Sequence, residues 1–436
     1  MKKYIFKLFL LIPLLINAQN IHTGYHSNSF ILQSVSNPAA FPTSNTIVGL
    51  PALSNLNYSI QWPLRFNDMF DIGEDDSLRL NFPSIVSNMQ DKDGLYINTR
   101  HQLFHFGMKI DNDKKWFVYL GDELISNFDF RFSSGLLDYL TRGNAFFLNQ
   151  QMDFSSEQLQ ASIYNSFYLG AAYNINDKWN LGARLKFLKG IANIHTEKFH
   201  ASFFTDESSS PMYKTIMKAD IHLKTSGLGM VTDSIEFDPM LNSGFAFDIG
   251  AIYCPNDEME FSFALNDIGS INWNEENNQF YTTDGQVEYT IEGLNQTSSG
   301  AEDLENQIEE ITDSLSETME LTTTSSAYTT KLGSNLFLGA KYRVNEMHSF
   351  SLLFHSRKQF DNRYNVYNLA YQLQLLESFQ WLASYQNMNG ISNIGSGFVW
   401  SPKLMEMHLM IDNIFISDVF DTKNFAIQIG FIFKFG

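Results

Sequence analysis

The sequence predicts an all-β fold, a transmembrane antiparallel β-barrel of about 14 strands with an N-terminal lumenal segment and a helical acidic outer-loop insertion. Three observations carry that expectation: strict apolar/polar alternation in many runs of about ten residues, tight polar turns that alternate with long connections, and an export signal at the start. The last run shows the alternation best. Phe425, Ile427, Ile429, Phe431, Phe433 and Phe435 share one face, opposed by Ala426, Gln428, Gly430, Ile432 and Lys434. A tilted strand of that length crosses a bilayer with one face in lipid and the other in the lumen.

In chain order, residues 1–18 read as a secretory signal peptide: Lys2, Lys3 and Lys7 precede an apolar core, and Ala18 closes it. The core is too short for a spanning helix, and no later segment is a long uncharged apolar run. A membrane location therefore requires a closed barrel or a surface association. Residues 19–45 form an N-terminal segment, and 46–436 the barrel. Strands are expected near 46–61, 95–110, 115–131, 162–174, 179–200, 244–254, 258–270, 331–342, 347–356, 364–375, 378–386, 391–400, 404–415 and 424–435. Tight turns fall at 111–114, 176–178, 255–257, 344–346 and 401–403, while 62–94, 132–161, 201–243 and 271–330 are long. A water-soluble sandwich or propeller also alternates, but its connections lack this short-long order.

Two outer insertions, 201–243 and 271–330, stand apart. Residues 301–320 carry eight carboxylates and no base, with Leu304, Ile308, Ile311, Leu315 and Met319 on one helical stripe. Before them, 279–291 reads as a hairpin on an Asp284-Gly285 turn.

Composition excludes several functions. The net charge of −19 becomes still more negative when the leader's lysines are lost, which disfavours nucleic acid as a partner. The single cysteine, Cys254, allows no internal disulfide framework. The scattered histidines show no metal-ligand spacing and no Gly-x-Ser-x-Gly elbow occurs, so neither a metal, a cofactor nor a catalytic residue is expected. Alternation instead turns a charged set inward: Lys109, Arg131, Arg184, Lys186, Lys341, Arg343 and Lys434, with Asp129, Asp248, Glu406 and Asp412. His101, His105 and His408 join them as lumen-lining candidates. Such charges require pairing or water, so a sealed interior and a wet channel both satisfy the pattern.

The segment "SNPAAFP", Ser36 to Pro42, precedes the first strand. Asn37, Pro38 and Ala39 are the gating candidates. In one reading they fold back into the lumen, Asn37 hydrogen-bonding there, Pro38 stiffening the turn and Ala39 permitting close approach. In the other they form an ordinary Asx-Pro turn. With the motifs "IVGLPAL", "GFAFDIGAIY", "FALNDIGSINW" and "FAIQIGFIFKFG", the chain resembles an uncharacterised Bacteroidota outer-membrane family. More distantly it is similar to the FadL-type fatty-acid transporters and to the PorV and PorP/SprF barrels of type IX secretion. The resemblance implies an outer-membrane location, with bilayer lipid around the wall, and a lumenal hatch. Two functions follow as expectations: a gated channel for a small, perhaps hydrophobic, ligand, or a plugged barrel whose outer loops dock a secretion or surface protein. An enzyme is not expected.

Overall fold

The computed structural model describes residues 22–72, 78–89, 94–155, 157–208, 214–227, 242–283, 287–292, 322–359, 362–388, 391–413 and 423–436. The expected signal peptide and the acidic helix at 301–320 lie outside them. Fourteen antiparallel strands close into a barrel. They are β1 (Thr46–Gly49, continuing as Asn55–Gln61), β2 (Gly94–Lys109), β3 (Trp116–Arg131), β4 (Gln158–Asn176), β5 (Trp179–Asp206), β6 (Ser243–Tyr253) and β7 (Met259–Trp273). The second half comprises β8 (Tyr328–Lys331, continuing as Asn335–Arg343), β9 (His348–Gln359), β10 (Asn362–Leu376), β11 (Phe379–Met388), β12 (Ile391–Trp400), β13 (Met405–Asp412) and β14 (Asn424–Phe435). Both pieces of β1 sit between β14 and β2, and that pairing removes the last free edge.

The alternation sorts as its chemistry requires. Along β3, Phe117, Tyr119, Gly121, Glu123, Ile125, Asn127 and Asp129 are buried, and the residues that alternate with them are more exposed. Large apolar side chains stay exposed around the outside, among them Phe187, Phe245, Phe261, Leu352, Tyr367 and Ile429. Near the tight-turn end, Trp116 stacks on Tyr173 and Trp179 on Tyr253, each pair with centroids 4.4 Å apart. An apolar wall with aromatics at its rim suits a bilayer. Among the described residues no helix is long and apolar enough to cross a membrane.

The long connections hold more strand than the sequence predicts. β5 is 28 residues long, far beyond what the bilayer needs, and its far end projects as a template. Lys214–Ser226 returns along it, and Gln151–Phe154 pairs with its other edge. The Asp284-Gly285 turn of the expected hairpin at 279–291 lies outside the described residues, and among those that are described its two halves pair with other strands rather than with each other. Asn278–Thr282 and Val287–Glu292 both lie antiparallel to Lys214–Ser226, one after the other along its edge. That edge offers their backbone groups partners that a folded-back pair would have to supply itself. The helix Ser134–Arg142 covers this outer sheet, with Tyr139 against Phe147, Phe154 and Phe203.

Candidate functional site

Residues 22–45 run through the barrel interior, and almost every residue from His22 to Pro42 is buried or half-buried. Their centre is the helix α1, Phe30–Ser36. Ser29 caps it, accepting from the Leu32 amide at 3.3 Å while donating to the Glu406 carboxylate. Phe30, Ile31 and Leu32 pack into a cluster with Phe117, Tyr119, Leu382, Val399, Met410 and Ile432 from the surrounding wall. Pro38 cannot extend the helix, and the Asn37 amide closes its last turn on the Gln33 carbonyl at 2.8 Å. The stretch before α1 is held by polar contacts: His22 meets Gln386 at 3.2 Å and His355 at 2.7 Å, and Thr23 meets Ser384 at 2.6 Å.

Asn37, Pro38 and Ala39 meet the wall at a notch made by two glycines. Gly182 of β5 and Gly250 of β6 are directly paired. A Cβ on Gly182 would lie 2.1 Å from the Pro38 carbonyl oxygen, and one on Gly250 2.1 Å from Asn37 Oδ1. Only glycine leaves room for the chain to approach so closely. The Asn37 amide donates to the carbonyls of Ala251 at 3.4 Å and Phe263 at 3.3 Å, and its Oδ1 accepts from the Ala39 amide at 2.9 Å. The Tyr119 hydroxyl donates to the Pro38 carbonyl at 3.3 Å.

Behind the notch lies a chain of charges. Arg184 donates to the Ser34 and Val35 carbonyls at 3.2 and 3.3 Å, where the C-terminal end of α1 is electronegative, and its Nε holds Asp248 at 2.6 Å. Lys186 bridges Asp248, at 2.9 Å, to Asp267. Asp267 also takes Arg100 at 3.5 Å and the Asn335 amide at 2.9 Å, and Arg100 reaches Glu123 at 3.8 Å. Each charge of this chain thus has an opposite neighbour, which offsets the cost of taking it out of water.

Arg100 and Asp267 lie inside against simple alternation, and two β-bulges explain why; Glu123 needs no such cause, because β3 alternates without a break. The register shifts between Phe247 and Ile249 opposite Asp267, whose φ is +61°, so the consecutive residues Asn266 and Asp267 are both buried in the lumen. A second shift, between Gln102 and Phe104, places Arg100 and Gln102 on the same inner face as His105. His101 therefore does not line the lumen; it sits on the opposite face, edge-on to Tyr58 with centroids 4.7 Å apart. Strict alternation cannot represent an inserted residue, and only the run of Gly, Asn and Asp in "FALNDIGSINW" hinted at one.

The remaining candidates lie as follows. His105 faces Tyr168 at 2.9 Å, and Lys109 donates to the Thr43 carbonyl at 3.0 Å. Lys341 donates to the His26 carbonyl at 2.8 Å, and His408 lies 3.3 Å from Asn55. Among the described residues no three metal-ligating side chains converge.

Two small spaces among the described residues bear on the site. The chamber toward the long loops has a free volume of about 40 Å³ and is walled by Asn98, Asn127, Tyr164, Asn193 and Arg357 among others. The second, about 30 Å³, abuts Leu32, Val35 and Ser36 of α1 together with Phe337 and Gln428. Each has room for a few waters. Arg100, Asp267 and Asn335 belong to both and form the partition between them.

A closed antiparallel barrel with its own N-terminal segment folded into the lumen is the class these features define. The chain belongs to a family of unknown function, DUF5723, whose model matches residues 38–412. No curated protein matches it. Among solved structures it is similar to the toluene transporter TbuX of Ralstonia pickettii, at 8% identity and TM-score 0.44 over 93% of this chain and 94% of that one. It is also similar to the toluene transporter TodX of Pseudomonas putida, at 10% identity and TM-score 0.43 over 92% and 91%. A FadL homologue of Pseudomonas aeruginosa follows, at 12% identity and TM-score 0.40 over 91% of each chain.

Proposed function

We propose that the protein is an outer-membrane channel for a small ligand, gated by a local movement of residues 34–39. The observation that carries this reading is the difference in how the lumenal segment is held. Phe30, Ile31 and Leu32 are locked in apolar contact with the wall, whereas Ser34 to Ala39 meet it through carbonyl and amide hydrogen bonds over the Gly182–Gly250 notch. Neutral bonds of this kind are exchanged for water at a net cost of about 1 kcal/mol each, and those from the Arg184 guanidinium at about 1.5–3 kcal/mol. Water cannot replace the apolar anchor.

The ligand enters from the long-loop side, passes the partition of Arg100, Asp267 and Asn335, and reaches the space beside Leu32 and Val35. Competition for Arg100 loosens Asp267, and the strain passes through Lys186, Asp248 and Arg184 to the carbonyls that end α1. Residues 34–39 then lift from the notch. No bond is made or broken, so no catalytic group is needed. A ligand with an apolar part can follow Leu32, Val35 and Phe337, but the partition demands a polar one.

The test compares single-channel conductance and dye uptake into liposomes for the intact barrel and one lacking residues 19–45. The expected result is a rise in both on truncation; two equally closed barrels would overturn the reading. A disulfide across the touching hydroxyl positions, Thr23→Cys with Ser384→Cys in a Cys254→Ser background, separates local from wholesale movement. A locked strap leaves gating intact if residues 34–39 move alone, and abolishes it if the entire segment must leave.

A further inference from the structure

We infer that the chamber on the long-loop side is a binding site for a small organic anion, a carboxylate- or phosphate-bearing solute, centred on the guanidinium of Arg357 beside Arg100. The inference takes the barrel as the channel proposed above and names the class of its ligand.

Arg357 projects from β9 into the chamber. Its Nη2 donates to the neutral Asn127 carbonyl oxygen at 2.8 Å, and its buried Nε has no hydrogen-bond partner. Among the described residues no carboxylate lies within ion-pair distance of it. A cation withdrawn from water without a counter-ion is costly unless something in the working protein supplies one. The one acidic residue on the chamber wall, Asp267, is already shared by Lys186, Arg100 and Asn335. Arg100 is itself only loosely held, 3.5 Å from Asp267 and 3.8 Å from Glu123. Lys331 adds a third cation at the chamber wall.

This local excess of positive charge stands in a chain of net charge −19, so it is a feature of the chamber and not of the chain as a whole. A guanidinium presents paired donors that match the two oxygens of a carboxylate or phosphate. Asn127, bonded already by the Asn98 amide at 2.6 Å, holds Arg357 in place without neutralising it. The small free volume selects a compact headgroup. An anion that engages Arg357 also attracts Arg100 away from Asp267, the first link of the gating chain.

Calorimetric titration of the full-length barrel in detergent with acetate, succinate and inorganic phosphate, against neutral acetamide, reads binding apart from transport. The expected result is saturable anion binding and none with acetamide, with affinity falling at least tenfold in Arg357→Gln and less in Arg357→Lys. Asn127→Asp places a carboxylate against the same guanidinium without emptying the site, and it should abolish binding in a folded barrel even if Arg357→Gln fails to fold. Acetate bound no better than acetamide, or unchanged binding in Asn127→Asp, would sink the inference. Reversal potentials across planar bilayers read the channel separately. Anion binding in a barrel that never conducts removes the channel and keeps the site, whereas a conducting barrel without anion binding removes the site and keeps the channel. Succinate and phosphate together show which anionic group is preferred.

Discussion

Residues 30–32 and 34–39 are neighbours in one short segment, yet they are secured by opposite physics. Ile31 is fully buried and Leu32 nearly so, each side chain contributing about 1.5–3 kcal/mol of apolar burial. Asn37 and Pro38 are buried too, but beyond their close packing on the glycine notch they are held to the wall by hydrogen bonds of 3.3–3.4 Å. Burial alone does not distinguish an anchor from a hatch. The type of contact does, because an apolar contact has no substitute in water and a hydrogen bond has one.

The contrast can be broken from either side. Ile31→Ala attacks the anchor and should have the largest effect, a loss of about 2–5 kcal/mol seen as a lower unfolding temperature in heat-modifiability gels. If conductance rises without loss of stability, the anchor is not an anchor. Gly182→Val attacks the hatch alone: its Cβ meets the Pro38 carbonyl at 2.1 Å, a backbone contact with little room to give. Overpacking costs about 1–3 kcal/mol, which predicts a roughly ten- to hundredfold rise in open probability with little change in unfolding temperature. Asn37→Ala removes two wall hydrogen bonds and the internal turn bond, up to about 1 kcal/mol each and less for the two at 3.3–3.4 Å, so open events should increase at least several-fold.

Acid should loosen the start of the segment and leave the hatch contacts alone. Burial lowers the His22 pKa from 6.5 to about 4, so the docked state prefers the neutral ring. It faces His355 and Gln386, with Asp412 accepting from its backbone amide at 3.3 Å. Its contribution to docking is complete above pH 6.5 and is lost as pH falls toward 4. Hydrogen exchange of residues 22–29, corrected for intrinsic rates, should quicken between pH 7.5 and 5. His22→Gln should flatten that dependence; an unchanged slope would show that another group is responsible.

Much of the site was legible as a set of residues and little of it as an arrangement. Arg184, Lys186 and Asp248 were expected inward and are there, because each lies in a stretch where alternation is unbroken. Asp267, Arg100 and the outward His101 were not, because each stands at or beside a bulge. The glycine notch was equally hidden. Gly182 and Gly250 are 68 positions apart, and neither reads as special until the register pairs them.

The sequence by itself determined the fourteen strands, the closure of the wall and, wherever the two-residue period is unbroken, which face of each strand turns inward. That information is local: a two-residue period with lipid on one side and lumen on the other leaves its mark on every short stretch. The tertiary structure alone decided where the period breaks, which residues become neighbours across the lumen, and how residues 22–45 are seated among them. Those outcomes rest on register and packing between strands distant in the chain, where one inserted residue reverses every face beyond it.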